Sequence, residues 1–469
     1  MKRGVPTLLN YRGLMDCVVG TRTSMRTISH PAIWTAMRSV SLGLLVAAAG
    51  IGGSDVSMAA LTGSRFGLML LWAIVAGAFI KFVLNEGVAR WQVATGETFL
   101  EGTCHRLGPA ARIVFLIYLL PWTFSVGASV MSASAAVAAA ALTAEKGWVA
   151  SGTSETSGSM RVLLGLGHSL AAGGLVLSGG YAVFKRVMGV LTIAMVLLVV
   201  VAAVLTRPDL SAVAGAIFVP RLPREDPEGV QWTIALFGGI GGTVTMLAYG
   251  YWMREEGRTK AGDQPSPRAW SYRIDLGIAY TVTVVFGIAL TIVSADVPVY
   301  PSGANLFQAV ASRLAETIDP VAGWVYLAGA WCAVCACMLG VWQFIPLLFA
   351  DFVSRGRAGP DAAVTQTLPE RLATKDDLSR TPAYRAYLLG LATLPALGVW
   401  LDFAVVQRAF GILGSMFIPL LALALLMMNN RRAWVGRHVN GFLTNAALVT
   451  ALAVATMGLI IECARLLGW

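Results

Sequence analysis

GLLVAAAGIGGSDVSMAALTGSRFG, residues 43–67, is apolar enough to enter a bilayer, yet it cannot be one uninterrupted helix. Gly50, Gly52 and Gly53 cluster beside Ser54, Asp55 and Ser57, so the weakest helix formers and the only acid fall mid-span. Backbone that unwinds inside hydrocarbon leaves amides and carbonyls unpaired, which is tolerated only where protein or a water-filled cavity surrounds it. A broken span with a carboxylate at the break is therefore a candidate binding site. The plainer reading is a helix kinked at close-packed glycines, and a second interruption decides between the two.

That interruption lies in WTIALFGGIGGTVTMLAYGYWM, residues 232–253. Gly238, Gly239, Gly241 and Gly242 are followed by Thr243 and Thr245, again at mid-span. The stretches 37–206 and 232–429 each hold five candidate spans, and each opens on a glycine-broken one. Paired discontinuous helices in corresponding positions are the sequence signature of an inverted-repeat secondary transporter, with its site at the repeat interface near the bilayer midplane. The expected architecture is all-α: two inverted five-helix repeats with broken helices 1 and 6, and an eleventh helix over 441–461.

Composition supports a polytopic membrane protein. The chain has 469 residues, 57 % hydrophobic and only 13 % charged, where a soluble domain carries roughly 25 % charge. Its formal net charge of +10 concentrates in alternate loops: the N-terminus, 90–112, Lys185 and Arg186, 254–273, 355–385, and Arg431 to Arg437. Such a bias reports orientation and not nucleic-acid binding, and it places the N-terminus in the cytoplasm and the C-terminus outside. Residues 1–36 read as a cytoplasmic segment without a cleavable signal, 207–231 as an extracellular loop, and 355–380 as a cytoplasmic linker. Residues 296–320 have room for a short amphipathic helix on the outer side. The expected location is a bacterial inner membrane, with lipid as the surroundings, no obligate protein partner, and a monomer.

The second span, 68–91, carries Lys81, Asn85, Glu86 and Arg90 at helical spacing. Such groups face a bundle interior or an aqueous path, either as an ion-paired seam or as pathway lining. Glu86 and Arg90 can satisfy each other, which favours the seam. The third span, 113–144, has Pro121 and several serines but no acid or histidine. Spans four and five, 162–182 and 187–206, are separated by the basic turn Phe184, Lys185 and Arg186. Cys332, Cys335 and Cys337 crowd one apolar span without a second pair or histidine, which reads as soft packing residues. His30, His105, His168 and His438 are dispersed. No nucleotide loop, dinucleotide fingerprint or nucleophile–base spacing occurs outside the spans, so the chain is not read as an enzyme and no cofactor is called for.

Several motifs resemble those of the natural-resistance-associated macrophage protein (Nramp) family of divalent-metal transporters, which have a LeuT-type fold. TGSRFG at 62–67 with LLW at 70–72 resembles the junction of the family's first two helices, and PDLSAVAGAIFVP at 208–220 the end of its fifth helix and the loop beyond. GGTV at 241–244 matches the approach to its broken sixth helix. Pro419 and MMNNRR at 427–432 resemble its tenth. The resemblance departs where the family binds metal. The family's Asp-Pro-Gly-Asn falls on Gly52, Gly53, Ser54 and Asp55, and its Met-Pro-His on Thr245, Met246 and Leu247. The acids its third helix carries for proton passage have no counterpart in 113–144.

One carboxylate with hydroxyls and carbonyls is too small a set to select a transition metal. Magnesium, which keeps several waters and needs only one or two carboxylates, is less excluded. The main expectation is instead a small polyhydroxylated solute, a hexose such as glucose, carried by a proton-independent uniporter akin to bacterial relatives that have lost the metal motif and resemble sugar transporters. Gly52, Ser54, Asp55, Ser57, Thr243, Thr245, Tyr249 and Gln343 supply polar contacts in that reading, with Trp122 and Trp331 as a flat apolar surface. A magnesium transporter, an amino-acid or other organic-solute carrier, and a non-transporting receptor are the alternatives. For each Ser and Thr, the competing role is a back-bond to its own helix.

Overall fold

The computed structural model describes residues 41–52, 54–144, 157–259, 269–295, 297–298, 303, 305–357 and 378–466. The expectations for residues 1–36 and for most of the 355–380 linker lie outside these. Helices account for nearly all of the described residues, and none of these residues is in a strand. Apolar side chains leave few alternatives in a bilayer, where each backbone amide and carbonyl must be paired within the chain.

The first span is broken as expected: helix α1, Leu42–Ile51, ends at Gly52, and α2, Ser54–Phe66, restarts at an angle of 51°. Helix α3, Leu71–Thr95, runs unbroken to Gly96, and the short α4, Phe99–Arg106, opens on a capping box between Thr98 and Glu101. Helix α5, Gly108–Ala144, continues through Pro121. Helix α6, Gly158–Leu205, has 48 residues, or about 72 Å, more than twice the thickness of a bilayer core. It therefore holds two spans, and the boundary differs from the expected one. Phe184, Lys185 and Arg186 are helical, and the chain changes direction at Gly180 (φ 62°, ψ 173°). A charged tripeptide has no need to leave a helix, whereas this backbone conformation requires a residue without Cβ.

Helix α7, Leu210–Phe218, lies in the following loop. The sixth span starts as α8, Gly229–Gly239, and resumes as α9, Ala248–Thr259. Next come α10, Ala269–Ser294; the expected short helix α11, Leu306–Thr317; and α12, Pro320–Arg357. Helix α13, Pro382–Thr393, tightens into a 3-10 stretch, Leu394–Trp400, at Pro395. Helices α14, Phe403–Asn429, α15, Arg432–Val435, and α16, Phe442–Leu466, close the chain. Six helices among the described residues, and the span of α8 and α9 taken as one, are long and apolar enough to cross a membrane, and two bent pairs qualify jointly. The chain is a multi-pass membrane protein. Extensive helix contacts join α6 to α12, α8 to α14, and α10 to both α2 and α3.

Beyond the end of α3, Glu97 accepts from Arg106 and lies 3.9 Å from His105 Nδ1. Burial pushes its carboxyl up, but the hydrogen bonds from His105 and Arg106 outweigh this and hold it down at about 2. A depressed carboxylate stabilises the fold above its unfolded value near 4.5, and that contribution disappears as pH falls towards 2. Glu97→Gln is therefore expected to lower the thermal midpoint at neutral pH. The gap from wild type should narrow on acidification, and a gap independent of pH would refute the ion-pair origin.

Candidate functional site: the junction of two broken helices

The two breaks meet. The backbones of Gly50 and Gly242 are so close that a Cβ on Gly50 would lie 2.9 Å from the Gly242 nitrogen. In the sixth span Gly241 and Gly242 take φ of 83° and 82°, a left-handed pair that only glycine adopts without strain. Thr243 follows at φ −134°, ψ −102°, before a 3-10 turn, Val244–Leu247, leads into α9. This run of non-helical backbone leaves the C-terminal carbonyls of α8 and the amide of Gly241 to find partners outside their own helix.

Asp55, in the first turn of α2, supplies one of them: its Oδ2 accepts from Gly241 N at 2.7 Å. Its position at the N-terminal end of α2 suits a negative charge. Lys81 of α3 supplies the other. Its Nζ donates to Gly238 O at 2.8 Å and to Ile240 O. Lys81 is fully buried, with Asp55 as the acid acting on it. Burying an ammonium is costly unless it is paired and hydrogen-bonded, and the two carbonyls together with the charge of Asp55 offset part of that cost. One turn further along α3, Asn85 Nδ2 donates to Tyr280 OH of α10 at 3.2 Å, while its Oδ1 is buried with no hydrogen-bond partner among the described residues. Glu86 and Arg90 behave as the expected seam, 3.3 Å apart, with Arg273 on Glu86 and Asn440 on Arg90. The polar face of the second span thus divides, its first half serving the junction and its second half a structural ion pair.

The structure gathers part of the sequence-derived residue set. Thr243 Oγ1 accepts from Trp122 Nε1 of α5 at 2.9 Å, and Thr245 Oγ1 accepts from Thr243 N at 3.3 Å, so neither threonine back-bonds to a helix. Ser57 is fully buried on α2. Gly52 sits against α12, where any Cβ would overlap that of Cys337, whose Sγ donates to Ala49 O at 3.2 Å. Cys337 thereby fills the packing role read for it. The side chain of Ser54 lies outside the described residues. The remaining three are not at the junction. Trp331 is 43 % exposed on the outer face of α12, where its Nε1 donates to His168 of α6. An indole on the lipid-facing side of a span cannot stack on a midplane ligand. Tyr249 OH donates to Asp275 of α10 at 3.1 Å, and Gln343 accepts from Trp252 Nε1 at 2.7 Å, both beyond the break along α9. Lys81, Asn85 and Tyr280 take their places.

Polar contacts tie the elements together on either side of the junction. Asp275 Oδ2 also accepts from Gly43 N, tying the start of α1 to α10 and α9. At the far end of α2, Arg65 grips Asp226 through two nitrogens and Glu228 through a third, and Arg408 of α14 joins Glu228 at 2.6 Å. Asp55, Lys81, Thr243 and Thr245 are each 4 % exposed or less, so a ligand reaches them only when one end opens.

Two broken helices meeting at a buried, charged junction inside an all-helical membrane bundle define a secondary transporter. The family model for natural resistance-associated macrophage protein-like proteins matches residues 43–463. The chain belongs to that family and is a transporter, not an enzyme. Among solved structures it is similar to a manganese transporter from Eremococcus coleocola in complex with an aromatic bis-isothiourea substituted compound. That match has 14 % identity and a TM-score of 0.61, over 94 % of this chain and 89 % of the other. A mutant of the same transporter gives 13 % identity and a TM-score of 0.60, over 93 % and 89 %. MhsT in complex with L-phenylalanine gives 14 % and 0.58, over 90 % and 97 %. Such identities establish the shared fold, which is LeuT-like. No curated protein matches the chain. The expected hexose cargo and uniport mechanism find no support here: membership of a metal-transporter family conflicts with a sugar and favours the divalent-cation alternative.

Proposed function

We propose that this protein moves a divalent cation of the magnesium class across a bacterial inner membrane by alternating access, with the cargo taken at Asp55. The observation that carries this reading is the donor set at the junction: one carboxylate, Asp55, with threonine hydroxyls nearby and the helix-break carbonyls already held by Lys81. Among the described residues no three His, Cys, Asp or Glu side chains come together as a metal-binding group. A transition metal needs anionic, imidazole or soft ligands to replace its water, whereas magnesium dehydrates reluctantly and is bound through one or two carboxylates with several waters retained. Family membership supports a cation, and the donor set narrows it to one that keeps its hydration. We place the N-terminus in the cytoplasm on the alternating basic loops, and assign 37–206 and 232–429 as the two inverted repeats. The lack of any acid or histidine in 113–144 leaves α5 without a proton carrier, so uptake is expected to be unaffected by collapsing a pH gradient.

A second reading, an amino-acid or other organic-solute carrier, is favoured by one observation: Lys81 already occupies carbonyls that a cation would use. Calorimetric titration of the purified protein with magnesium, manganese, a hexose and an amino acid separates the two, followed by uptake into proteoliposomes. Saturable binding and uptake of magnesium are expected. A response to an organic solute without one to magnesium would overturn the cation reading.

A further inference from the structure

We propose that Lys81 sets the ion selectivity of the junction, as a tethered ammonium that holds the helix-break carbonyls and denies them to a dehydrated cation. The proposal deepens the cation reading above and rests on it for the identity of the cargo. Gly238 O in the last turn of α8 and Ile240 O just beyond it stand at the negative end of the helix dipole, accept from Lys81, and lie beside the amide that Asp55 accepts from. Carbonyls at a helix end facing a carboxylate across a second break are the oxygen set that a bare cation would use. Here the positive charge is covalent. It is 0 % exposed and comes from α3, which contributes neither break.

With Lys81 holding the carbonyls, a mobile ion at the junction meets Asp55, which also accepts from Gly241 N, and the charges of Lys81 and Asp55 offset each other. An ion arriving there keeps its water shell, a condition that suits magnesium and disfavours manganese, whose binding gains most from direct protein ligands. Removing the ammonium would release both carbonyls and leave the carboxylate uncompensated. It would also leave the buried Asn85 Oδ1, which has no hydrogen-bond partner among the described residues, on a residue one helical turn from the vacated position. The simpler role for Lys81 is a cap on the C-terminus of α8. A cap affects stability alone and leaves ion preference unchanged.

Lys81→Met and Lys81→Gln separate these roles, each purified and checked for cooperative thermal unfolding before use. Titrations with magnesium and with manganese give the affinity ratio, and manganese electron paramagnetic resonance reports whether the bound ion keeps its water shell. In wild type, bound manganese is expected to be weak and to retain an aquo-type spectrum. In both variants manganese affinity should rise by about tenfold or more relative to magnesium, with a broadened spectrum from direct ligation, and Asp55→Asn in the same background should remove the gain. An unchanged ratio in folded variants, or directly ligated manganese in wild type, would overturn the proposal while leaving the cation reading in place. Wild type that binds neither ion, beside a variant that binds manganese, would instead sink the cation reading and uphold the role of Lys81.

Discussion

Asp55→Ala is expected to abolish saturable uptake, with a loss of about 100-fold or more, corresponding to roughly 2.7 kcal/mol of lost interaction with the cargo. Two effects combine in it. The carboxylate is the anion offered to a mobile cation, and it also accepts from Gly241 N and balances Lys81. Removing a buried charge that acts on another buried charge leaves the second less compensated, which destabilises the fold. The alanine variant should therefore unfold at a lower temperature as well as fail to transport. Asp55→Asn separates the effects: its amide oxygen can still accept from Gly241 N, so the break keeps its geometry while the charge is lost. Proteoliposome uptake close to zero in both variants, with more of the thermal stability retained in the asparagine variant, is the expected pattern. Uptake by Asp55→Asn at the wild-type rate would move the cargo site away from this junction.

The features legible in the sequence were those for which the physics demands a composition. A helix that breaks inside hydrocarbon needs residues that tolerate it, so Gly50, Gly52 and the run Gly238 to Gly242 marked both breaks. The positive φ of Gly241 and Gly242 is the reason that run cannot be anything else. The meeting of Asp55 with the second break followed from fold class, because corresponding broken helices face each other. Lys81 was not legible in the same way. Its spacing from Asn85, and that of Glu86 from Arg90, is a helical period, and such a period equally suggests pairing within the helix. Only Glu86 and Arg90 do so. The partners of Lys81 are backbone carbonyls about 160 residues away in sequence, and carbonyls have no residue identity to read. The signal that was present is cost: a lysine near the middle of an apolar span demands a partner on another helix. Trp331 failed for the opposite reason. An indole in a span serves equally at a lipid-facing surface, and nothing in a sequence gives the rotation of a helix about its axis.

Gly52→Ala is expected to be among the most destabilising single-methyl additions in the chain, although Gly52 has an extended backbone (φ −84°, ψ 179°) that alanine adopts freely. The penalty arises from packing. The added Cβ would overlap that of Cys337 and would lie 2.5 Å from Ala333 O and 2.9 Å from Cys337 Cα. Because two of those three atoms are backbone, α12 itself must move away from the first break, and overpacking of this kind costs about 1–3 kcal/mol or more. Cys337→Gly removes one of the three clashes at the expense of about 1 kcal/mol of helix propensity. The double variant should therefore recover part of the lost thermal midpoint, while Cys337→Ser, which keeps its Cβ, should recover none. That asymmetry distinguishes a contact between the break and α12 from a general intolerance of the break to substitution. The same displacement would carry Gly52 and the adjoining Asp55 relative to Gly241, so uptake should fall even at temperatures where Gly52→Ala remains folded. Equal midpoints for the alanine variant and wild type would mean that the first break does not pack against α12 at this distance.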